Sequence, residues 1–437
     1  HDYVRRGGGL LTAALTWGWK YGALRTTGKI SPALDYDAER LLAGFGLVAG
    51  DLGVNRTGPG NRGFRVSTGL PFGSTLPEAM EVLRRDPLLA DDSVRKQVAK
   101  TLLQTAGCCP PATGGLYSEL QRLAGDTAVC KAPSVAAPLK EQDALSRIAI
   151  VLRQNEWQAH PERDWPADPA AESYPGLVDS AARRLDGERR VFDLAVQRWH
   201  STGLFLPADG TLTVEIPPQF TGMGLSVRVG TTGDDLTPAN EWKRAPLVTV
   251  TCALDRERTV VSSPFGGLVY LVVPNGKSGT LEASFSGAVA APHFRRGRDT
   301  NATWREMTAT ARAPQAEIEG RHLIITLGAR AAAHVKDPER LVAFWDGALE
   351  ACARLTGLDR PQNSPERICA DVQLTTGWMH DGYPMMYHRS EKGPDWVADI
   401  DDIERKGCWG VLHEIGHNHQ NRAWTFPGTG EVPVNLF

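Results

Sequence analysis

The segment Cys408 to Gln420 reads CWGVLHEIGHNHQ, and within it His413, Glu414 and His417 have the types and spacing of a metal-assisted hydrolytic centre. Residues four apart on a helix stand one above the other, so the imidazoles of His413 and His417 can meet one Zn²⁺. Glu414 lies about 100° further round, placed to work on water rather than to bind the ion. A metal held there makes water easier to deprotonate, and the carboxylate can take that proton as the water attacks a carbonyl. Gly416 keeps the helix surface low beside the histidines. Cys408, Val411, Leu412 and Ile415 form a separate apolar face by which such a helix docks.

A catalytic zinc site takes three protein ligands and leaves one position open. The metzincin pattern would continue with Gly at 420 and His at 423, but the chain has Gln420 and Ala423, which excludes that class. Glu431 is the only acidic residue after His417. As third ligand it would give the two-His, one-Glu set of thermolysin-like sites, the gluzincins, although an acid in so wide a window is a weak signal by spacing alone. His419 falls on the side of Cys408, Leu412 and Ile415 and reads as a hydrogen-bonded core histidine. Trp409, one turn before His413, reads as packing, with lining of the cleft as the alternative. Asn418 and Gln420 are either partners that orient the ligands or plain surface amides. Upstream, the loop GWMHDGYPMM from Gly377 to Met386 carries His380 and Tyr383, each able to contact substrate or stabilise an oxyanion, against the alternative of ordinary loop packing.

The elements that position these residues are read from periodicity and caps. After about 300 the texture is α/β: His322 to Leu327 predicts a strand, Asp337 with Pro338 a helix start, and Gly357 its end. Arg367 to Leu374 alternates, with Ile368, Ala370, Val372 and Leu374 expected on one face. From about 200 to 290 the period is two, as in Leu212, Val214 and Ile216, in Leu225, Val227 and Val229, and in Leu281, Ala283 and Phe285. Leu268 to Val273 is a continuous apolar run, and the whole stretch predicts a β-sandwich. From about 75 to 200 the pattern is helical, with a capping box from Thr75 and Glu78 and an apolar face of Val94, Val98 and Leu102. Pro161, Pro166, Pro169 and Pro175 mark a linker or wrapped loop. Gly7-Gly8-Gly9 reads as a close-packed turn, since no GxGxxG and no Lys-Ser/Thr follows.

Composition narrows the function classes. With 437 residues, 41% apolar and 23% charged, the chain is an ordinary globular protein of several domains. The net charge of -3 and the short Arg295-Arg296-Gly297-Arg298 run give nucleic acid nothing to bind. No uncharged apolar run reaches the length of about 18 residues that spans a membrane. Seven scattered cysteines without a CxxC pair read as buried thiols of a reducing compartment. The triplets Asn55-Arg56-Thr57 and Asn301-Ala302-Thr303 point weakly the other way. The chain begins at His1 without a Met and reads as an excised piece with both ends missing, so its localisation is unknown from sequence.

The run WGVLHEIGHNHQ, followed by Trp424-Thr425-Phe426, Gly430-Glu431-Val432 and Asn435-Leu436-Phe437, resembles the enhancin-type and mucin-degrading zinc metallopeptidases, peptidase family M sixty. Gly382-Tyr383-Pro384 fits the same pattern, and the run from Trp199 to Pro207 resembles the start of the β-sandwich that precedes their catalytic part. The resemblance covers about 185 to 437. It implies zinc held by His413, His417 and Glu431, Glu414 as catalytic base, and proteolysis of glycoprotein, often mucin-like, substrates. The opening HDYVRRGGGLL is similar to the animal TRP channel-associated factors, in which an amidotransferase-like α/β domain precedes the same two modules and the zinc motif is commonly degraded; here the motif is intact. Pro433 disfavours helix at Val432, so Glu431 must sit in or just before the first turn of its helix. The expected architecture is therefore multidomain α/β and β. It comprises a partial amidotransferase-like α/β domain over 1–74, a helical region and linker over 75–185, a β-sandwich over 186–298, and an incomplete gluzincin-like α+β peptidase domain over 299–437. The expected function is a zinc metalloendopeptidase. Its rivals are a non-enzymatic regulator that binds a membrane protein and a glycan-binding protein, and the intact Glu414 favours the enzyme.

Overall fold

The computed structural model describes residues 72–85, 92–108, 115–124, 130–357, 364–390, 393–421 and 423–437. The glycine-rich opening, the Asn55 triplet and all but the last three residues of the α/β domain expected over 1–74 lie outside the described residues. Two compact units divide the chain, one of residues 1–132 and 138–160, the other of 133–137 and 161–437.

The described part of the first unit is helical: α1 (Leu76–Arg85), α2 (Asp92–Cys108), α3 (Gly115–Ala124) and α4 (Ala144–Ala159). Val98, Leu102 and Ala106 on one face of α2 are fully buried, as are Leu120 of α3 and Val151 of α4. Two long-range bonds lock the packing. Tyr117 donates to the Leu152 carbonyl at 2.6 Å, and the Asn155 amide donates to the Ala106 carbonyl at 2.7 Å. The capping box expected at Thr75 is displaced. Glu78 reaches back to the Gly73 N–H at 3.1 Å, because Gly73 at φ +81 turns its amide over the helix start.

The second unit holds three sheets. Strands β1 (Glu188–Asp193), β2 (Arg198–Leu206), β3 (Thr211–Glu215), β4 (Ser226–Val229), β5 (Val250–Ala253), β6 (Arg258–Ser262), β7 (Gly267–Val273), β8 (Thr280–Ser286) and β9 (Val289–Ala290) form two of them. One runs β1-β8-β3-β6, the other β5-β4-β7-β2-β9, and every pairing is antiparallel. Alternation decides the faces: Leu212, Val214, Leu281, Ala283 and Phe285 are buried while their strand neighbours face out. Phe192 of β1 meets His200 of β2 edge-on at 5.7 Å, joining the two sheets. All seven residues of β7 are buried, as a central strand covered on both faces requires.

The third sheet is mixed. Its strands β10 (His293–Arg295), β11 (Gln315–Glu319), β12 (Leu323–Gly328), β13 (Glu366–Asp371), β14 (Met379–His380) and β15 (Met385–His388) lie in the order β10-β11-β12-β13-β15-β14. The helices are α5 (Asn301–Ala309), α6 (Ala329–Ala332), α7 (Pro338–Leu355), α8 (Ile400–Lys406) and α9 (Trp409–His419). Asp337 caps α7 by accepting from the Arg340 N–H, and Pro338 opens it, as the sequence predicts. One core unites Leu323, Ile325 and Leu327 of β12 with Leu341, Trp345 and Leu349 of α7 and Val411 and Ile415 of α9. The chain is thus mixed α/β with several sheets. Asn301 of the second triplet lies in the first turn of α5, its amide bonded to Asp337 at 2.9 Å and to the Glu339 N–H at 3.3 Å. Cys352, Cys369 and Cys408 are buried free thiols. Among the described residues no helix is long and apolar enough to cross a membrane.

Candidate metal centre

Helix α9 docks on the sheet through Val411 and Ile415, both fully buried, which turns the opposite side of the helix outward. His413 and His417 stand on that side one turn apart, with Nε2 atoms 3.2 Å from each other. Glu431 comes from the turn before a short 3-10 segment, Pro433–Leu436, as expected, although Val432 takes the αR backbone (φ -95, ψ -56) that Pro433 disfavours. Its Oε2 is 3.1 Å from the His413 Nε2 and 3.3 Å from the His417 Nε2.

These three distances test whether a metal fits. Tetrahedral ligands with bonds of about 2.0–2.1 Å are spaced about 3.3 Å apart, and the triangle of 3.1, 3.2 and 3.3 Å is that ligand face within a few tenths of an ångström. Two imidazole nitrogens and a carboxylate oxygen are also the borderline donors that such an ion takes. Among the described residues this is the one group of three such side chains close enough to hold an ion. The donor set fits zinc.

Four contacts bring Glu431 into range. A Cβ at Gly416 would lie 2.8 Å from the Val434 carbonyl oxygen, so only glycine lets the 433–437 turn close onto α9. Gln420, just past the helix, donates to the Gly430 carbonyl. Asn435 donates to the Glu431 carbonyl at 2.7 Å and accepts from the Trp409 indole at 3.1 Å. Glu431 is thereby located by its backbone while its side chain stays 77% exposed.

Glu414 is 9% exposed, and burial raises its carboxyl pKa, with His413 and His417 drawing it back down. The Nδ1 of His413 is buried without a hydrogen-bond partner, and its ring is flanked by Trp409, tilted against it at 4.7 Å, and by the His417 ring, edge-on at 4.8 Å. Trp409 itself corrects the expectation of a packing residue: it is 68% exposed beside the metal donors, because α9 turns its first residue away from the sheet. His419 stands apart from the donors, its pKa lowered by burial, with Phe437 tilted against it at 6.0 Å. Asn418 orients no ligand. It brackets Gly382, accepting from its N–H at 3.2 Å and donating to its carbonyl at 3.1 Å, and donates to Glu366 at 3.3 Å.

The loop thus pinned carries His380 and Tyr383, and they differ. The Tyr383 ring is clamped by Arg198 at 4.5 Å and Trp199 at 5.4 Å, and its hydroxyl is buried without a partner. His380 is partly exposed, with both ring nitrogens bonded, to Asp234 and to the Asp381 carbonyl. Residues that sequence reasoning missed are those supporting this loop from the β-sheets: Asp234, Arg198 and, behind them, Arg244. Arg198 at φ +73 is the one described non-glycine residue with positive φ, a backbone feature without a sequence signature.

Residues 287–437 match the family described as peptidase M60, enhancin and enhancin-like, and residues 183–285 match the N-terminal domain of M60-like peptidases. TRPM8 channel-associated factor 2 of Homo sapiens is 38% identical over 241 residues, which are 55% of this chain and 26% of that protein. The homologous factor of Xenopus laevis is 36% identical over the same length. The chain therefore spans about a quarter of the curated relatives it matches. Among solved structures, the IMPa metallopeptidase from Pseudomonas aeruginosa has the same fold, with TM-score 0.53 and 17% identity over 79% of this chain and 42% of that one.

Proposed function

We propose, taking residues 183–437 as an M60-like N-terminal domain followed by a peptidase M60 domain, that this chain carries the centre of a zinc-dependent endopeptidase of gluzincin type. The observation that carries the reading is the donor triangle of His413, His417 and Glu431 with the buried Glu414 beside it. The ion, when bound, supplies a Lewis acid that polarises the substrate carbonyl and eases deprotonation of water. Glu414 takes the proton from the attacking water as its oxygen adds to the carbonyl carbon. It then delivers that proton to the amide nitrogen as the C–N bond breaks. Its raised pKa suits the first step, since a more basic carboxylate takes the proton from water more readily. The resemblance to mucin-degrading peptidases makes a glycoprotein the substrate class.

A second reading has its own support. The curated relatives are TRPM8 channel-associated factors, so a non-enzymatic role at a membrane channel fits the same fold. One experiment separates the two. The full-length protein is assayed for zinc content and for cleavage of an O-glycosylated peptide and its unglycosylated counterpart. Stoichiometric zinc with cleavage abolished in Glu414→Gln is the expected result. Wild type that binds zinc and cleaves neither peptide would leave the regulator reading standing instead.

A further inference from the structure

The segment between β4 and β5 leaves the five-stranded sheet and runs along the strand ends that carry the cleft wall. Arg244 grips Asp371 through Nε at 2.9 and 3.0 Å, with both residues fully buried. Gln373 bonds the Lys243 N–H at 2.6 Å and the Glu241 carbonyl at 2.7 Å. Asp234 accepts from the Thr375 N–H at 2.9 Å, and both its carboxylate oxygens face the His380 Nε2, at 3.0 and 3.1 Å. On the far side of the ring, Nδ1 is 2.9 Å from the Asp381 carbonyl oxygen. Both partners of His380 are therefore acceptors. A neutral imidazole has one N–H, so satisfying both takes the imidazolium.

The two bonds are unequal. Asp234 is 6% exposed and its bond to His380 is charge-assisted, whereas the Nδ1 bond is local and solvent-exposed. We propose that Asp234 is a positioning residue of the cleft: it fixes His380 as a cation whose Nδ1–H a substrate oxyanion takes over from the Asp381 carbonyl. This rests on the peptidase reading and deepens it, assigning the oxyanion contact to His380 rather than to Tyr383, whose hydroxyl is buried. His380 lies two residues from Gly382, which Asn418 of α9 brackets, and its charge acts on the Glu414 carboxyl. Burial alone would lower the His380 pKa, but Asp234 and Asp381 outweigh it and push it up to about 9. The charged groups around the ring are Asp234 on the β4–β5 segment, Asp381 on its own loop and Glu414 on α9, with Arg244 behind Asp234. The sign follows: the cation is present below its raised pKa and is lost as pH rises through about 9.

The test uses full-length, zinc-loaded protein, with kcat/KM followed against pH and the His380 ring titrated by NMR. In wild type the alkaline limb coincides with the His380 titration, near 9. In Asp234→Asn both fall together toward the ordinary histidine value of about 6.5. His380→Gln, at a partly exposed side chain, keeps fold and zinc, lowers kcat by about 10²-fold and removes that limb. Adding Asp234→Asn to it costs nothing further, because the two act through one contact. An unmoved limb in Asp234→Asn, or full activity in His380→Gln, overturns the proposal while leaving the peptidase reading intact. If Asp234→Asn does not fold, the wild-type titration and His380→Gln decide the matter alone. Wild type with zinc and no hydrolysis defeats the peptidase reading, and this assignment with it.

Discussion

Where β13 meets the β2 and β7 strands, buried charges face opposite charges, although the Arg367 Nε has no hydrogen-bond partner. Arg367 pairs with Glu317, which also accepts from Tyr270 at 3.0 Å and Thr326 at 3.2 Å, and Arg367 donates to Ser201 at 3.0 Å. Arg244 and Asp371 close on each other beside it. On α9 the pattern is the reverse. Three metal-type donors converge there, and their carboxylate remains mostly in solvent. Buried opposite charges can satisfy one another and need nothing more. A convergence of lone pairs calls for a proton or a cation between them, and on the metal reading that difference separates structural charge from the proposed centre.

The comparison breaks most visibly at the centre itself. His413→Ala or His417→Ala should abolish stoichiometric zinc and all hydrolysis; metal analysis that finds wild-type affinity would refute the donor set. Glu414→Gln keeps the shape of the side chain and removes the charge. Zinc and thermal stability should stay, while kcat falls by about 10²–10⁴-fold. At the seam the expectation inverts. Asp371→Asn strands the Arg244 charge in a fully buried place and should destabilise the fold by about 3–5 kcal/mol in denaturant titration. Its zinc stoichiometry, measured on the folded fraction, should be unchanged. The smallest effect belongs to the contact between the two regions. Asn418→Ala frees Gly382 and should lower kcat/KM by about 10-fold through the cleft wall, with metal content constant; loss of zinc would instead make Asn418 a partner of the ligands.

The two regions also differed in what sequence could reveal. His413 and His417 are legible because helical geometry fixes their relation within four residues. Glu431 needed the family resemblance, since its approach depends on a turn packing against Gly416, which no spacing rule encodes. The seam was not legible at all: Arg244 and Asp371 lie 127 residues apart, and each alone reads as a surface charge. The alternation in 367–374 failed for a related reason. Strand β13 is covered on both faces and ends at Asp371, so Leu374 packs with Cys369 and Met386 rather than with Ile368. The strands of the two antiparallel sheets were readable because one of their faces meets water, which leaves a two-residue period.

Gly416 sets how the third ligand is presented. In chelate terms, His413 and His417 form a rigid bidentate unit, and Glu431 is a tethered third arm whose local concentration at the ion depends on how closely its turn docks. A short tether makes the closing step intramolecular, with an effective concentration of the order of millimolar or above. A methyl group at 416 would leave every donor in the chain and yet dilute the third, since the Val434 carbonyl would have to retreat from 2.8 Å. On the proposed donor set, metal affinity would depend partly on a residue that has no side chain to bind with.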